Sequence, residues 1–308
     1  MHKERPVSTS RRYRERGTLF ILLTTLPALA IITIFTLYPI GFALWSSFSF
    51  YDLTNPQKTG FAGVTNYGAA LQATGFQHSV EASVVFVIAS FFLVVGLALG
   101  SALLLNERFR GVKHLQVIVL LPWAIPFVVA GMMWRWIYDS NYGVLNFVLQ
   151  SLGVIPHYQA WLTQSNPAMV LLIIAYAWSE FPVSTLLILA GLQSVPKELY
   201  EAAVVDGARA FARFRRVTWV WLKPILLIVF VYETLRAITV FDSVYVVTKG
   251  QPADATAIVS YYIYRYMFTY YDVGLASALS VIVLVVSAVL IYAYFRFLRI
   301  GSLELRGR

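Results

Sequence analysis

Residues 80–105 read VEASVVFVIASFFLVVGLALGSALLL, and Glu81 is the only charged residue among them. A helix needs about 20 consecutive, mostly apolar residues to cross the hydrocarbon core of a bilayer. Residues 80–105 satisfy this requirement, so they are predicted to form a membrane-spanning α-helix.

Five further stretches of the chain have the same character, and Pro122 and Pro126 fall inside the third of the six. The predicted spans are residues 18–42, 80–105, 115–137, 168–192, 224–247 and 273–295. The sequence therefore predicts an all-α membrane protein with six transmembrane helices. The two prolines are expected to kink the third helix, because a proline removes a backbone donor.

The composition of the whole chain also indicates a membrane protein. Of its 308 residues, 59% are hydrophobic and only 13% are charged, whereas soluble domains contain roughly 25% charged residues. The chain contains no cysteine, which excludes disulfides and thiolate metal sites. No metal site is expected either, because the four histidines are not spaced as metal ligands.

The distribution of Lys and Arg predicts the orientation, since cytoplasmic loops carry an excess of both. Most of the 24 basic residues lie in the N-terminal segment, in the second and fourth connections and in the C-terminal tail. Only Lys58, Lys249 and Arg265 lie in the other three connections. Both termini are therefore predicted to be cytoplasmic. The net charge of +9 is attributed to this asymmetry and not to nucleic-acid binding.

The chain is predicted to contain one membrane domain. A basic cytoplasmic N-terminus (1–17) precedes the transmembrane domain (18–296), and a cytoplasmic tail (297–308) follows it. We find no low-complexity linker and no second soluble domain between these limits.

The fourth connection, residues 193–223, contains the most informative pattern. Pro196 suits the first position of a helix, and Glu198 then falls in the first turn, where the helix dipole favours an acid. Gly207 suits a helix end, because glycine adopts the left-handed conformation at little cost. A second amphipathic helix follows, so this connection is predicted to form a helix–glycine–helix elbow.

Two interpretations of the elbow are open from the residues alone. It is either an ordinary amphipathic surface loop or a docking element for a partner. Phe211 and Phe214 lie on one face of the second helix, with basic residues on another. Ala202 and Ala203 permit close approach of a partner.

The elbow resembles a known family. Glu201-Ala202-Ala203, followed after three residues by Gly207, is similar to the EAA signature of binding-protein-dependent ABC importer permeases. Residues 241–252, FDSVYVVTKGQP, are similar to a fifth-helix motif of the carbohydrate-uptake branch of that family, and they fit its maltose-type first permease. The family usually has a proline soon after the elbow; here the stretch is Val217–Val220, and the next proline is Pro224.

The resemblance implies the type I ABC importer permease fold and a separate ATPase that docks on the elbow. The chain itself has no phosphate-binding loop of the Gly-x-x-x-x-Gly-Lys-Ser/Thr type. ATP and Mg²⁺ are therefore expected on the partner ATPase, and this chain is expected to be a transport subunit and not an enzyme. The residues implied in ATPase coupling are Glu201, Ala202, Ala203, Asp206, Gly207, Phe211, Arg213 and Phe214.

Four ionisable residues stand out inside the fourth and fifth predicted spans, where each is a candidate functional group. They are Glu180 in the fourth span and Glu233, Arg236 and Asp242 in the fifth. Glu233 and Arg236 are three residues apart, so they share a helix face and are expected to be able to pair. Two roles are open: an internal salt bridge between the fourth and fifth helices, or a polar cavity that binds sugar hydroxyls.

The resemblance also indicates which positions contact solute in the maltose-type permease. On the fourth helix they correspond to Tyr176, Ser179, Glu180 and Val183. On the fifth helix they correspond to Glu233, Ala237 and Val240. With Arg236 and Asp242, these residues form the predicted substrate-binding set, in which Glu180 and Glu233 are the strongest candidates.

The sequence thus predicts a multi-pass protein of the bacterial inner membrane that imports a monosaccharide, disaccharide or polyol. Its expected partners are a second permease subunit, an ATPase dimer, an extracytoplasmic solute-binding protein and membrane lipid, without nucleic acid.

Three alternatives stay open. Arg236 and Arg265 suggest a phosphorylated polyol such as glycerol phosphate as the solute. Glu180, Glu233 and Asp242 suggest an ion relay in a gradient-driven secondary transporter. The basic loops suggest a non-transporting scaffold that binds anionic lipid.

Overall fold

The computed structural model describes residues 23–55, 57, 59–107 and 109–305, with side chains up to Arg296. The predicted basic segment 1–17, the residues Lys58 and Arg108, and the last residues of the predicted basic tail lie outside this description.

The described residues form helices and one small hairpin. In chain order the elements are α1 (Leu23–Ser47), β1 (Ser49–Phe50), β2 (Gly60–Phe61), α2 (Thr65–Gln72), α3 (Thr74–Asn106), α4 (Val112–Leu120), α5 (Phe127–Ile137), α6 (Val144–Ser151), α7 (Ser165–Gln193), α8 (Lys197–Val205), α9 (Ala210–Arg213), α10 (Trp219–Thr239), α11 (Val259–Phe268) and α12 (Val273–Leu305). Short 3₁₀ turns follow α4 (Leu121–Ala124) and precede α7 (Trp161–Thr163).

Five helical segments of the described chain are long and apolar enough to cross a membrane. They are α1, α3, α7, α12 and the segment Ala210–Thr248, which contains α9 and α10 and is interrupted at Val240. The prediction of an all-α fold with six transmembrane helices is confirmed when the bent helix pair at 112–137 is counted as one span. The placement of both termini in the cytoplasm stays a prediction.

The predicted third span is not one kinked helix. Val112–Ala124 and Phe127–Ile137 are bent by 98° at the break between them. The span that is third in chain order, and that brings the total to six, is therefore a broken pair of helices. Pro122 lies in the 3₁₀ turn, and Pro126 caps the start of α5. Ile125 is forced into an extended conformation (φ −89°, ψ 127°), as expected for a residue before proline.

The predicted fifth span is longer than expected. It was predicted to begin at Pro224, but the helical segment begins at Ala210 and so includes the second helix of the elbow. A π-helical turn, Phe214–Thr218, joins α9 to α10. Pro224 lies inside α10, where it removes one backbone hydrogen-bond donor from the helix.

Helices α3, α7 and α10 form the core at the elbow end of the molecule. Ala98 and Ala102 of α3 are fully buried and pack with Leu192 of α7 and Leu222 of α10. Gly191 brings α7 against α10: a Cβ there would lie 3.0 Å from a Leu222 methyl group. Small residues at these positions let helix backbones approach closely, as is usual between membrane helices.

At the opposite end, the β1–β2 hairpin and α2 join the end of α1 to the start of α12. The buried Asn66 side chain donates to the carbonyl oxygens of Ser47 (3.0 Å) and Ser49 (2.9 Å). The Gly274 amide donates to the Tyr51 carbonyl oxygen at 3.0 Å. A Cβ on Gly274 would lie only 2.4 Å from the Ser49 carbonyl oxygen. The first turn of α12 therefore packs directly on the hairpin backbone.

We expect Gly274→Ala to destabilise the protein, because the added methyl group overlaps backbone atoms that cannot rotate away. Overpacking of this kind costs about 1–3 kcal/mol. Thermal unfolding of the detergent-solubilised protein measures the change. Gly100→Ala in α3 is the matched control, since a Cβ at that position would meet no atom within 4 Å outside its own helix backbone. Equal stability of the two variants would contradict the close packing of α12 on the hairpin.

Candidate functional site

A polar stripe runs along the buried face of α7 towards α10. Tyr176, Glu180 and Ser184 follow one another at intervals of four residues, so their side chains lie on one face of the helix. All three side chains are buried, and Glu180 is only 1% exposed. The stripe faces Tyr232, Glu233 and Arg236 of α10, with which it forms a mixed polar cluster.

The central contact of this polar cluster is an ion pair between Glu180 and Arg236. The Nε and Nη2 atoms of Arg236 donate to Oε1 of Glu180 at 2.9 and 2.5 Å. The Tyr232 hydroxyl donates to Oε2 of the same carboxylate at 3.4 Å. Arg236 therefore pairs across the two helices with Glu180, and the pairing expected with Glu233 on its own helix is not formed. The salt bridge between the fourth and fifth helices, one of the two roles left open, is present.

Glu233 has a different environment. Its side chain is 1% exposed, and Oε1 accepts a hydrogen bond from the Ser184 hydroxyl of α7. Its Oε2 atom is buried without a hydrogen-bond partner among the described residues, as is the Tyr176 hydroxyl. Because an unsatisfied buried polar atom is costly, these two atoms are the ones most ready to accept an additional partner.

Arg236 connects the polar cluster to the surface of the chain. Its guanidinium lies over the ring of Phe127, the first residue of α5, at 5.1 Å from the ring centroid. The arginine side chain is 38% exposed, in contrast to the carboxylate that it binds. A guanidinium has five N–H donors, and Glu180 uses two of them. The remaining donors are therefore available at the exposed edge.

The other predicted substrate-binding residues differ in accessibility. Ser179, Ala237 and Val240 are buried, whereas Val183 and Asp242 are half-buried. Asp242 follows the backbone break that ends α10.

Three residues of the polar cluster and its edge were not among those predicted from the sequence: Ser184, Tyr232 and Phe127. The four-residue spacing of Ser184 from Glu180 could have indicated the first. The contact with Phe127 was not predictable, because it depends on the break before α5.

Metal binding has no support from the geometry. Within the described ranges, no three His, Cys, Asp or Glu side chains are grouped so that they could bind an ion.

The elbow has the predicted helix–glycine–helix geometry. Pro196 caps α8, one residue before its expected position inside the helix, and Glu198 lies in the first turn. Gly207 has φ +73°, and its amide donates to the Val204 carbonyl oxygen at 3.0 Å. The Ala208 amide donates to the Ala203 carbonyl oxygen at 2.9 Å. These two bonds define a Schellman ending, which turns the chain towards α9.

Two side-chain hydrogen bonds tie the elbow to the spans. The hydroxyl groups of Tyr200 in α8 and Thr218 at the start of α10 are 2.9 Å apart. The Trp221 indole of α10 donates at 3.1 Å to the hydroxyl of Ser194, at the end of α7. The elbow is therefore connected, through covalent and hydrogen-bonded links, to both helices of the polar cluster.

The elbow exposes apolar side chains. Val205 is 87% exposed and Phe211 is 75% exposed. Glu201 is also exposed, whereas Arg213 and Phe214 are half-buried, and the Phe214 ring lies 6.3 Å from that of Trp219. Of the predicted coupling residues, Phe211 is thus the most accessible aromatic group. Large exposed apolar side chains that cluster at one end of a chain are typical of an interaction surface.

The described chain has five or six candidate spans, with a buried polar cluster between two of them. The elbow is attached to the same two helices. Together these features define a polytopic helical membrane protein of the transporter class.

Residues 92–299 match the family model described as "Binding-protein-dependent transport system inner membrane component". This match covers more than half of the chain, which therefore belongs to that family. The chain is a permease component of a binding-protein-dependent transport system.

Curated relatives span almost the same length as this chain. The trehalose/maltose transport system permease protein MalF of Thermococcus litoralis is 38% identical, over 91% of this chain and 94% of the relative. The sulfoquinovosyl glycerol transport system permease protein SmoG of Agrobacterium fabrum is 31% identical, over 91% of each chain. The sn-glycerol-3-phosphate transport system permease protein UgpA of Brucella abortus is 32% identical, over 88% of this chain and 92% of the relative.

A solved structure has the same fold. It is a chain from the crystal structure of a bacterial alginate ABC transporter in complex with an alginate pentasaccharide-bound periplasmic protein. The TM-score is 0.78 at 22% sequence identity, and the match covers 94% of this chain and 96% of the other.

We expect Arg236→Met to destabilise the protein strongly, because the buried Glu180 carboxylate loses its cation. Removing one member of a buried ion pair costs about 3–5 kcal/mol. The double variant Glu180→Gln/Arg236→Met removes both charges and is expected to recover much of that loss. Thermal unfolding in detergent measures all three proteins, with Arg216→Met on the exposed elbow as control. Arg236→Met with wild-type stability would show that the pair does not connect α7 to α10.

Proposed function

We propose that this chain is the first permease subunit of an ATP-driven importer for a sugar or polyol. It forms half of the translocation pathway and couples to a separate ATPase through residues 193–223. The observation that carries the proposal is the connection of the elbow to α7 and α10, the two helices that contain the polar cluster. A force applied to the elbow therefore acts on the helices that hold Glu180, Glu233 and Arg236.

The polar cluster suits the chemistry of a sugar. Each hydroxyl group that leaves water needs a donor and an acceptor to replace its lost hydrogen bonds. The unpartnered Oε2 of Glu233 supplies an acceptor, the Tyr176 hydroxyl supplies either group, and the outer edge of Arg236 supplies donors. Arg236 is accessible from the surface of the single chain, whereas Glu233 and Tyr176 become accessible when α7 and α10 separate.

A neutral solute fits better than a phosphorylated one, although one relative is named for sn-glycerol 3-phosphate. Arg236 is paired with Glu180, and Arg265 is paired with Asp254 at 2.5 Å and donates to the Tyr270 hydroxyl at 2.8 Å. Burial alone would lower the pKa of Arg265, but the hydrogen bonds with Tyr270 and Asp254 outweigh it and raise the pKa. Each arginine proposed for phosphate is therefore neutralised by a carboxylate.

The remaining parts of the importer are other proteins. A second permease subunit completes the pathway, and an extracytoplasmic solute-binding protein delivers the solute. An ATPase dimer binds ATP and Mg²⁺ and receives the elbow, with Val205 and Phe211 at the contact. The chain is placed in the bacterial inner membrane, with the elbow on the cytoplasmic side. The family description and the periplasmic protein named with the solved relative support this arrangement.

We expect Glu233→Ala to weaken uptake of the transported solute while leaving the assembled transporter intact. Loss of a hydrogen bond to a charged group changes binding by about 1.5–3 kcal/mol, or roughly tenfold or more in KM. The measurement is ATP-dependent uptake of a panel of labelled sugars and polyols in cells that express the complete transporter.

Glu201→Lys in the same cells separates coupling from recognition, and it is expected to abolish uptake of every solute. Uptake that continues in Glu201→Lys cells, or after ATP depletion, would contradict the ATP-driven importer and favour the gradient-driven alternative. Uptake of glycerol phosphate but of no neutral solute would contradict the assignment of a sugar.

We expect Val205→Asp and Phe211→Asp to uncouple the ATPase, because each places a charge in an apolar contact. Substitutions at the centre of an interface cost about 2 kcal/mol or more, which is roughly thirtyfold in affinity. ATPase activity stimulated by the solute-loaded binding protein measures coupling in reconstituted transporter. Val205→Leu and Phe211→Leu are the matched controls, since they keep both exposed positions apolar. Normal stimulation in both elbow variants would place the ATPase contact elsewhere.

A further inference from the structure

Helix α6 exposes an apolar face to its surroundings. Val144, Phe147 and Val148, with Leu152 directly after the helix, recur at helical spacing and are exposed, whereas Leu145 and Leu149 are half-buried on the inner side. Phe147 is 62% exposed and Leu152 is 72% exposed. The side chain with no exposure at all is the polar Asn146.

Asn146 fixes which face of α6 points outward. Its amide nitrogen donates to the carbonyl oxygens of Asp139 (3.1 Å) and Gln159 (3.0 Å). Its amide oxygen accepts hydrogen bonds from the Gln159 amide (3.0 Å) and the Trp161 indole (2.8 Å). Rotation of the helix about its axis to bury its apolar face would break all four hydrogen bonds and leave the buried Asn146 side-chain amide unsatisfied. The outward apolar face is therefore a fixed property of the fold.

We propose that α6 lies in the interfacial zone of the bilayer, with the face formed by Val144, Phe147, Val148 and Leu152 in contact with phospholipid. The helix begins a few residues after α5, the second half of the broken span, and so starts at the membrane end of that span. An interfacial helix inserts its apolar face at the boundary between head groups and acyl chains.

Three features favour lipid over a protein partner on this face. Residues 140–165 contain no Asp, Glu, Lys or Arg that could form a polar rim around a protein interface. Trp136 and Tyr142 flank the start of the helix and are strongly exposed, as in the aromatic belt of a membrane protein. The apolar face also continues the exposed apolar surface of α5, at Val129, Met132 and Trp136.

The natural absence of cysteine makes the test direct. A spin label is attached to the Phe147→Cys variant. This variant is assembled with cysteine-free partner subunits, and the complete transporter is reconstituted in liposomes. The label then reports collisions with oxygen and with a water-soluble nickel chelate. We expect oxygen collisions to dominate at this site, giving a positive depth parameter. His157 is exposed in the loop that follows α6, so a label on His157→Cys is expected to give the opposite sign.

Two outcomes would overturn the proposal. A label at Phe147 that is mobile and reached mainly by the nickel chelate would place α6 in water. A label that is immobilised and reached by neither reagent would place α6 under another protein subunit. Uptake activity of the labelled transporter, measured in the same liposomes, shows that either result describes the assembled protein.

Discussion

Hydrocarbon offers no water to a polar group, so every charge inside this chain must find its partner within the protein. The pair formed by Glu180 and Arg236 meets this requirement between α7 and α10. It sets the relative rotation and height of the two helices, because a guanidinium and a carboxylate pair in few geometries. The hydrogen bond from Ser184 to Glu233 and the close approach at Gly191 follow from the same alignment.

The polar cluster and the elbow are parts of one mechanical unit. α7 ends at the elbow and α10 begins from it, so the two helices that hold the charges are also the two that the elbow joins. The Schellman ending at Gly207 and the bond between Tyr200 and Thr218 give the elbow a defined shape and not a flexible connection. The solute contact and the ATPase contact proposed for this chain would therefore depend on the same helix pair.

Sequence patterns predicted the parts of the fold that depend on local properties. Apolar length located the spans, and the positive φ of Gly207 was predictable because glycine suits that conformation. Contacts between helices were not predictable in the same way. The spacing of Glu233 and Arg236 suggested an ion pair on one helix. In the structure, Glu180 approaches from another helix and pairs with Arg236 in place of Glu233. The bend of 98° before α5 is also larger than the kink expected from a proline. The reason is that Ile125, the residue before Pro126, has an extended and not a helical backbone.

The unbroken run of helical turns from Ala210 to Thr239 has a geometric consequence. A helix rises about 1.5 Å per residue, so Arg236 lies roughly 38 Å along the axis from Phe211. A tilt of about 5° over that distance displaces the far end by about 3 Å, which is roughly the length of one hydrogen bond. The segment can thus act as a lever, in which a small rotation at the elbow end is amplified to the distance that separates a closed ion pair from an open one.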